Sequence, residues 1–363
     1  MNIFLNIGVY LILVMNQNQQ KNKLQVDENF YKEALKTNPN NVEAHNNLGV
    51  ILLQLGKIQE AKNSCQRAIQ ISPNYASAHN NLAAVFYETG ELQKAKNCYQ
   101  KAIQIQPNNT VANDNLGVVF NELGEHKKAA SFCQKAIQIN PSYVSAYYNL
   151  GEIFRNLKDF QKAVDCFKKV KTPLGMAQLL ECVYLLNRLE NYNKLLNTFV
   201  EKDPTNLRIA ALAAYVSKRE NIKNIYPFCK NPLDYFFSIS LKDKFKFSDQ
   251  FSNRLLNIPE KIGSNWRIKR IIKKGHQSSG NLLDNPASEI AELKKIFEKQ
   301  INIYRENYKN SDDYFISRWP TKSKLFGWYI KLKKQGHVKS HIHEDGWLSA
   351  VFYLKIPKPL KKN

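Results

Sequence analysis

The chain is 363 residues long, 43% hydrophobic and 23% charged, with 53 Lys plus Arg against 31 Asp plus Glu and a formal net charge of +22. That length allows two or three domains, and the hydrophobic share is enough to build a packed core, which excludes a long disordered chain. The charge excess is uneven, with 34 basic against 18 acidic side chains in residues 174–363, yet no dense Arg/Lys block interleaved with aromatics appears. A compositional bias towards Lys, Asn and Ile is therefore read in preference to a nucleic-acid or acidic-surface site.

In chain order, the first segment is Met1–Met15 (MNIFLNIGVYLILVM). Its apolar run is short of the roughly 20 residues a spanning helix needs. It also lacks the basic start and the small-residue cleavage site of a signal peptide. It reads as an extension ahead of a start at Met15, with a membrane-targeting segment as the alternative. Residues 1–23 are then extension and linker, membrane contact rests on residues 1–15 alone, and the body is expected in the cytoplasm.

A strict repeat follows. Pro39, Pro73, Pro107 and Pro141 are 34 residues apart, as are Leu48, Leu82, Leu116 and Leu150, and Ala61, Ala95, Ala129 and Ala163. Gly56, Gly90 and Gly124 keep the same step, with Lys158 in the next place. Within each unit, apolar residues recur at three and four, the spacing of one helical face. Gly90 sits where a first helix would stop and Pro107 where a second would close. This unit resembles the tetratricopeptide repeat, a helix-turn-helix module of 34 residues. The resemblance covers about residues 42–171, and a preceding half-unit near 24–37 adds one helix, so the solenoid is expected over 24–171. A single pair cannot bury its stripe alone, so neighbours must stack. Residues 176–204 read as two further antiparallel helices and Leu207–Arg219 as another; 172–226 are taken as degenerate repeats that cap the stack.

Cys65, Cys98, Cys133 and Cys166 fall 33, 35 and 33 apart. They are read as small buried side chains recurring once per repeat at one structural position. With no Cys-x-x-Cys pair, zinc and redox chemistry are not indicated. His45 and His79 follow the repeat and are read as ordinary groove or packing residues and not as metal ligands.

Asn47, Asn81, Asn115 and Asn149 occupy one position in the first helix of four successive units. Each carboxamide offers donor and acceptor, so such a row could hydrogen-bond an extended peptide backbone; the alternative is that the amides bond within the solenoid. The row resembles the tetratricopeptide superhelix of protein O-GlcNAc transferases, which implies a protein or peptide partner. No Gly-rich nucleotide loop follows, so transferase activity is not expected.

Beyond about Pro227 the period is gone. Residues 286–308 carry a helical stripe of Ile290, Leu293, Ile296, Phe297, Ile301 and Tyr304. GWYIKLKK (327–334) alternates like a strand, with Trp328, Ile330 and Leu332 on one face, and LSAVFYLKI (348–356) reads as a strand covered on both faces. Between them lies GHVKSHIHEDGWLS. His341 and His343 are two apart, so an extended backbone projects both imidazoles to one side, their Cα atoms about 6.6 Å apart. Glu344 and Asp345 add hard oxygen donors, a set that suits Fe(II), Mn(II) or Zn(II).

The run GNLLD…WP…GWYIKLKKQGHVKSHIHEDGWLSAVFYLKIP resembles the iron(II)/2-oxoglutarate oxygenases that bacteria often carry behind tetratricopeptide repeats. The resemblance spans about residues 266–357 and is most specific at HIHEDGWLSAVFYL (341–354). It implies His341 and His343 as metal ligands, with Glu344 as the alternative second ligand, and Fe(II) and 2-oxoglutarate as cofactors of a hydroxylase. A double-sheet jelly roll needs about eight strands, and two are legible here before the chain ends in IPKPLKKN. The third ligand and the basic residue for the 2-oxoglutarate carboxylate are missing, so the region reads as truncated.

The expected fold is thus mostly α. An α-α superhelical solenoid precedes a small α+β region over 227–363, an incomplete double-stranded β-helix. Two functions follow. One is an interaction module fused to the front part of a dioxygenase, inactive in this truncated form. The other is a non-catalytic scaffold that binds a protein or peptide in its groove.

Overall fold

The computed structural model describes residues 6–14, 18–236, 238, 248–261, 266–267, 272–278, 281–320, 324–338 and 346–353. They divide into two units, Asn18–Ala213, and Met1–Gln17 together with Ala214–Asn363.

In the first unit each 34-residue period becomes a helical hairpin. A leading helix α1 (Asn18–Thr37) is followed by the pairs α2 (Val42–Gln54) and α3 (Ile58–Ile71), α4 (Ala76–Glu88) and α5 (Leu92–Ile105), α6 (Thr110–Glu122) and α7 (His126–Ile139), and α8 (Val144–Asn156) and α9 (Phe160–Phe167). The turn within each pair is three residues long and has one cause. Gly56, Gly90 and Gly124 take φ of 77°, 79° and 80°, a left-handed conformation glycine adopts without steric cost. The amide three residues past the helix then reaches back into it: Lys57 N donates to Leu52 O, Glu91 N to Phe86 O, Glu125 N to Phe120 O and Asp159 N to Phe154 O. In the fourth pair Lys158 must adopt φ 60° without glycine's freedom, at a cost of about 1 kcal/mol.

The conserved step of leucine and alanine is the core. Ala61, Ala95, Ala129 and Ala163 are fully buried, and Leu48, Leu82, Leu116 and Leu150 nearly so. The two helices of a pair come so close that a Cβ on Gly49 would sit 2.6 Å from Cys65 Sγ, and one on Gly117 2.6 Å from Cys133 Sγ.

The cysteine reading needs correction here. Cys65 and Cys133 share the position facing those glycines, which Tyr99 fills in the intervening unit and Phe167 in the last. Cys98 and Cys166 stand one residue earlier in their helices, and Cys98 is only half-buried. The spacings of 33 and 35 are thus an alternation between two adjacent positions. All six thiols are free, and burial raises each above the ordinary cysteine range, Cys166 to about 11. They are core residues and poor nucleophiles.

The leading helix docks through a charge inversion. Lys57 and Glu60 stand where later units carry Glu91 and Lys94, Glu125 and Lys128, and Asp159 and Lys162. Glu28 of α1, 1% exposed, accepts from Lys57 Nζ at 2.6 and 2.7 Å and from Lys32 Nζ at 2.6 Å. Burial opposes ionisation of Glu28, but its bonds to Lys32 and Lys57 outweigh burial and hold the carboxyl below its usual range.

After α9 the period loosens but helices continue as α10 (Pro173–Leu185), α11 (Leu189–Lys202) and α12 (Leu207–Arg219). Thr172 caps α10, its hydroxyl accepting from Gly175 N at 3.1 Å, with Pro173 in the first turn.

The second unit contains a five-stranded sheet in the order β2-β3-β4-β1-β5, formed by β1 (Asn6–Val14), β2 (Trp266–Arg267), β3 (Ile272–Ser278), β4 (Lys324–Val338) and β5 (Gly346–Tyr353). The apolar run that the sequence leaves outside the fold is an interior strand here. β1 pairs antiparallel with β4 on one side (Tyr10 opposite Trp328) and with β5 on the other (Tyr10 opposite Val351). Apart from Asn6 and Gly8, the nine residues of β1 are apolar or aromatic, which suits a strand paired on both edges, and β4 and β5 flank β1. Leu325 and Tyr329 pack with Phe251, Leu255 and Ile258 of the helix Asp249–Lys261 and with Ile290, Leu293 and Phe297 of the helix Ser288–Tyr308. The alternation in GWYIKLKK puts Trp328, Ile330 and Leu332 on one face. Ile330 is buried, but Tyr329 on the other face is buried too, its hydroxyl donating to Leu255 O at 3.0 Å.

Candidate functional site

The first helices α2, α4, α6 and α8 carry the asparagine row. Each is also preceded by a polar residue one place earlier: Asn46, Asn80 and Asp114, with Tyr148 in the fourth unit. That second row was not singled out from the sequence, although it keeps the same 34-residue step.

The two rows interlock. Asn81 Nδ2 donates to Asn46 Oδ1 at 2.7 Å, one unit back. Asn149 Nδ2 donates to both carboxylate oxygens of Asp114 at 3.0 Å, again one unit back. Within a unit, Asn46 Nδ2 donates to Asn47 Oδ1 and Asn80 Nδ2 to Asn81 Oδ1, each at 3.2 Å. Asn47, which has no full unit before it, donates to the Tyr31 hydroxyl of α1 at 3.3 Å. Three of the four asparagines thus take part in bonds between neighbouring helices. Asn115 is the exception: its carboxamide is half-exposed and makes no side-chain hydrogen bond among the described residues.

Asp114 is the acidic member of the row and 1% exposed. Besides Asn149 it accepts from Ser145 Oγ at 2.7 Å, and from Cys133 Sγ at 3.7 Å. Burial pushes its carboxyl above the ordinary aspartate range, although these donors favour the charged form.

The repeating histidines have a structural duty. His45 Nε2 bonds Pro39 O and His79 Nε2 bonds Pro73 O, each at 2.9 Å, and Asn113 Nδ2 donates to Pro107 O in the next unit. In three of the four hairpins, one side-chain position therefore ties down the loop carbonyl that enters the hairpin; the fourth carries Tyr147 there.

His341, His343, Glu344 and Asp345 lie outside the described residues. Among those that are described, no group of three or more His, Cys, Asp or Glu is placed to hold a metal ion. No described helix is long and apolar enough to cross a membrane.

Comparison with known proteins agrees with the period. Models described as tetratricopeptide repeat match residues 40–108, 80–144 and 144–172. A model described as "Putative 2OG-Fe(II) oxygenase" matches residues 327–363. No curated protein matches the chain. Among solved structures, MamA is 27% identical over 50% of this chain and 98% of its own, with a TM-score of 0.36. PilF of Pseudomonas aeruginosa is 15% identical over 54% of this chain and 92% of its own, with a TM-score of 0.46. YrrB, described as a tetratricopeptide protein with an unusual peptide-binding site, is 17% identical over 50% of this chain and 96% of its own, with a TM-score of 0.41.

Proposed function

Starting from a chain that carries tetratricopeptide repeats over residues 40–172, we propose an interaction module that takes an extended peptide segment along its row of first helices. The observation that carries this reading is the row Asn47, Asn81, Asn115 and Asn149, which repeats with the helices and in which Asn115, half-exposed and without a side-chain hydrogen bond among the described residues, still has the paired donor and acceptor a peptide backbone needs. Panning a displayed random dodecapeptide library on the full chain tests it. Enrichment of peptides that no longer bind when all four asparagines are replaced by Ala supports the reading; no enrichment over an unrelated helical protein sinks it.

The oxygenase-like match over residues 327–363 favours a second element of the same proposal. Its boundaries are those read from the sequence: solenoid 24–171, degenerate repeats 172–226 and an oxygenase-like region 227–363. His341 and His343, with Glu344 as the alternative to His343, would hold Fe(II), since imidazole and carboxylate donors are the types that iron takes in two-histidine, one-carboxylate centres. When bound, Fe(II) with 2-oxoglutarate supplies the oxidising chemistry for hydroxylation of a C–H bond. In this reading the solenoid delivers a peptide substrate to that region. Titration of Fe(II) into the wild-type chain and into His341→Ala tests the site, and equal affinity in both would leave only the peptide-binding scaffold.

A further inference from the structure

We propose that α1 and α12 are the two opposite halves of a helical hairpin, and that they join between two copies of this chain, head to tail. The inference goes beyond the peptide-binding reading and uses none of the asparagine row.

The leading helix α1 is a second helix without a first. Pro39 follows it as Pro73 follows α3, and strand β1 precedes it in the chain where a first helix would come. Its residues map onto the later units in steps of 34: Val26 onto Glu60, Lys94, Lys128 and Lys162, and Phe30 onto Ser64, Cys98, Phe132 and Cys166. Val26 is thus apolar where the four hairpins α2 to α9 are charged. It is 67% exposed and Phe30, one turn on, 66%. An end that only capped the stack would turn a polar face outward.

Helix α12 is the converse, a first helix without a second. Asn206 caps it, accepting from Ile209 N at 3.1 Å as Asn109 accepts from Ala112 N at 2.9 Å at the start of α6. It ends in the same turn as the complete hairpins. Asn221 takes φ of 53° in the place of Gly124, and Ile222 N donates to Ser217 O at 3.0 Å as Glu125 N donates to Phe120 O. No second helix follows that turn, since residues 222–231 are not helical. Counted back from the turn, Ala214 stands where the hairpins carry Gly49, Ala83, Gly117 and Gly151, and Ser217 where they carry Leu52, Phe86, Phe120 and Phe154. Those four small residues are buried, whereas Ala214 and Ser217 are only partly so.

The two open surfaces match in size. Within the hairpins Gly117 faces Cys133 and Gly151 faces Phe167; the same facing position holds Tyr99 opposite Ala83, and Tyr31 in α1. Joining α12 to the α1 of a second copy therefore sets Ala214 against Tyr31, the residue types of Ala83 and Tyr99, which are 0% and 2% exposed. Nearby, Phe120 stacks on Phe132 with centroids 5.4 Å apart, and Lys94 Nζ lies 5.4 Å from the centre of the Phe86 ring. The equivalent positions across the joint bring Ser217 against Phe30 and Val26, one small side chain opposite two large ones. The exposed apolar residues of α1 leave water in the process. The contact joins two different surfaces, so it is heterologous, and each added copy presents the next open half.

Sedimentation velocity of the full chain from about 1 to about 100 µM tests the joint. The mass of the wild type should rise with concentration. Phe30→Arg spoils the α1 surface and Ser217→Arg the α12 surface, so each alone should lower the association constant at least about tenfold, with the circular dichroism and unfolding temperature unchanged. An equimolar mixture of the two variants should recover a 1:1 dimer, because one brings an intact α12 and the other an intact α1. Should either variant fold poorly, Val26→Lys (the residue type of Lys94, Lys128 and Lys162) replaces the first and Ala214→Gln the second, with the same outcomes expected. A wild type that stays monomeric throughout overturns the proposal. Loss of association in Phe30→Arg alone would mean a symmetric α1 contact and overturns it too, as does a mixture that fails to dimerise.

Discussion

The two units of this chain are held together over different distances in sequence. In Asn18–Ala213 the bonds that join successive hairpins link residues 35 apart, Asn81 to Asn46 and Asn149 to Asp114. In the other unit Tyr10 lies opposite Trp328 and Val351, more than three hundred residues away. The first kind of contact repeats and each copy reports on the next. The second occurs once, between segments with nothing in common but an apolar composition. A solenoid should therefore tolerate local damage, whereas the sheet depends on a strand delivered from the far end of the chain.

A proline in β1 breaks that comparison at its most exposed point. Leu11 lies opposite Gly327 on β4 and Ala350 on β5. Proline in the interior of a sheet removes a ladder donor and is sterically disfavoured. Leu11→Pro should destabilise the sheet by on the order of 3 kcal/mol. Hydrogen exchange read by mass spectrometry should show lost protection across residues 324–332 and 346–353, with α2 to α8 unaffected. Undiminished protection in β4 would mean that β1 is dispensable.

The same contrast explains what could be read in advance. The hairpins of the solenoid, their glycine turns, the alanine core and the structural use of His45 and His79 follow from a period visible in the residues themselves. The strands over 327–334 and 348–356 were also legible, because alternation and apolar runs are local signals. The placement of Asn6–Val14 was not, since no local feature distinguishes a strand seeking a distant partner from an apolar extension. The asparagine row was visible, but its state was not. Asn46 and Asn80 are the same residue at equivalent positions, yet Asn81 donates to the first and no donor reaches the second, a difference that residue identity does not encode.

Within the solenoid, close approach can be broken at a single atom. A Cβ on residue 117 would stand 2.6 Å from Cys133 Sγ and 3.0 Å from Ala129 O. One neighbour is a side chain that can shift and the other is helix backbone that cannot. Gly117→Ala should therefore lower stability by about 1–3 kcal/mol, seen as a reduced denaturation midpoint. Adding Cys133→Ala should recover part of that loss by removing the nearer atom; no recovery would place the clash entirely on the backbone of α7.

The smallest effect separates the two bonds between units, Asn81 to neutral Asn46 and Asn149 to acidic Asp114. Asn46 cannot titrate, whereas the Asp114 carboxyl is held above its ordinary range by burial. The folded chain then binds a proton at this site more tightly than the unfolded chain, whose aspartate titrates near pH 3.9. Where the folded state holds more protons, stability falls as pH rises, so Asp114 contributes most at low pH and its contribution declines from about pH 4 upward through its own raised pKa. Glu28, Glu91, Glu125 and Asp159 are shifted the other way, so their contribution grows as pH rises from their lowered values to the ordinary carboxylate range and is complete where that of Asp114 declines. The informative quantity is the difference between wild type and Asp114→Asn in urea midpoints at successive pH values. The variant should lose the declining component and gain stability relative to wild type as pH increases, since its oxygen can still accept from Asn149 as Asn46 accepts from Asn81. A difference that stays flat with pH would mean that the Asp114 carboxyl titrates alike in the folded and unfolded chain, and that its three donors fully offset its burial.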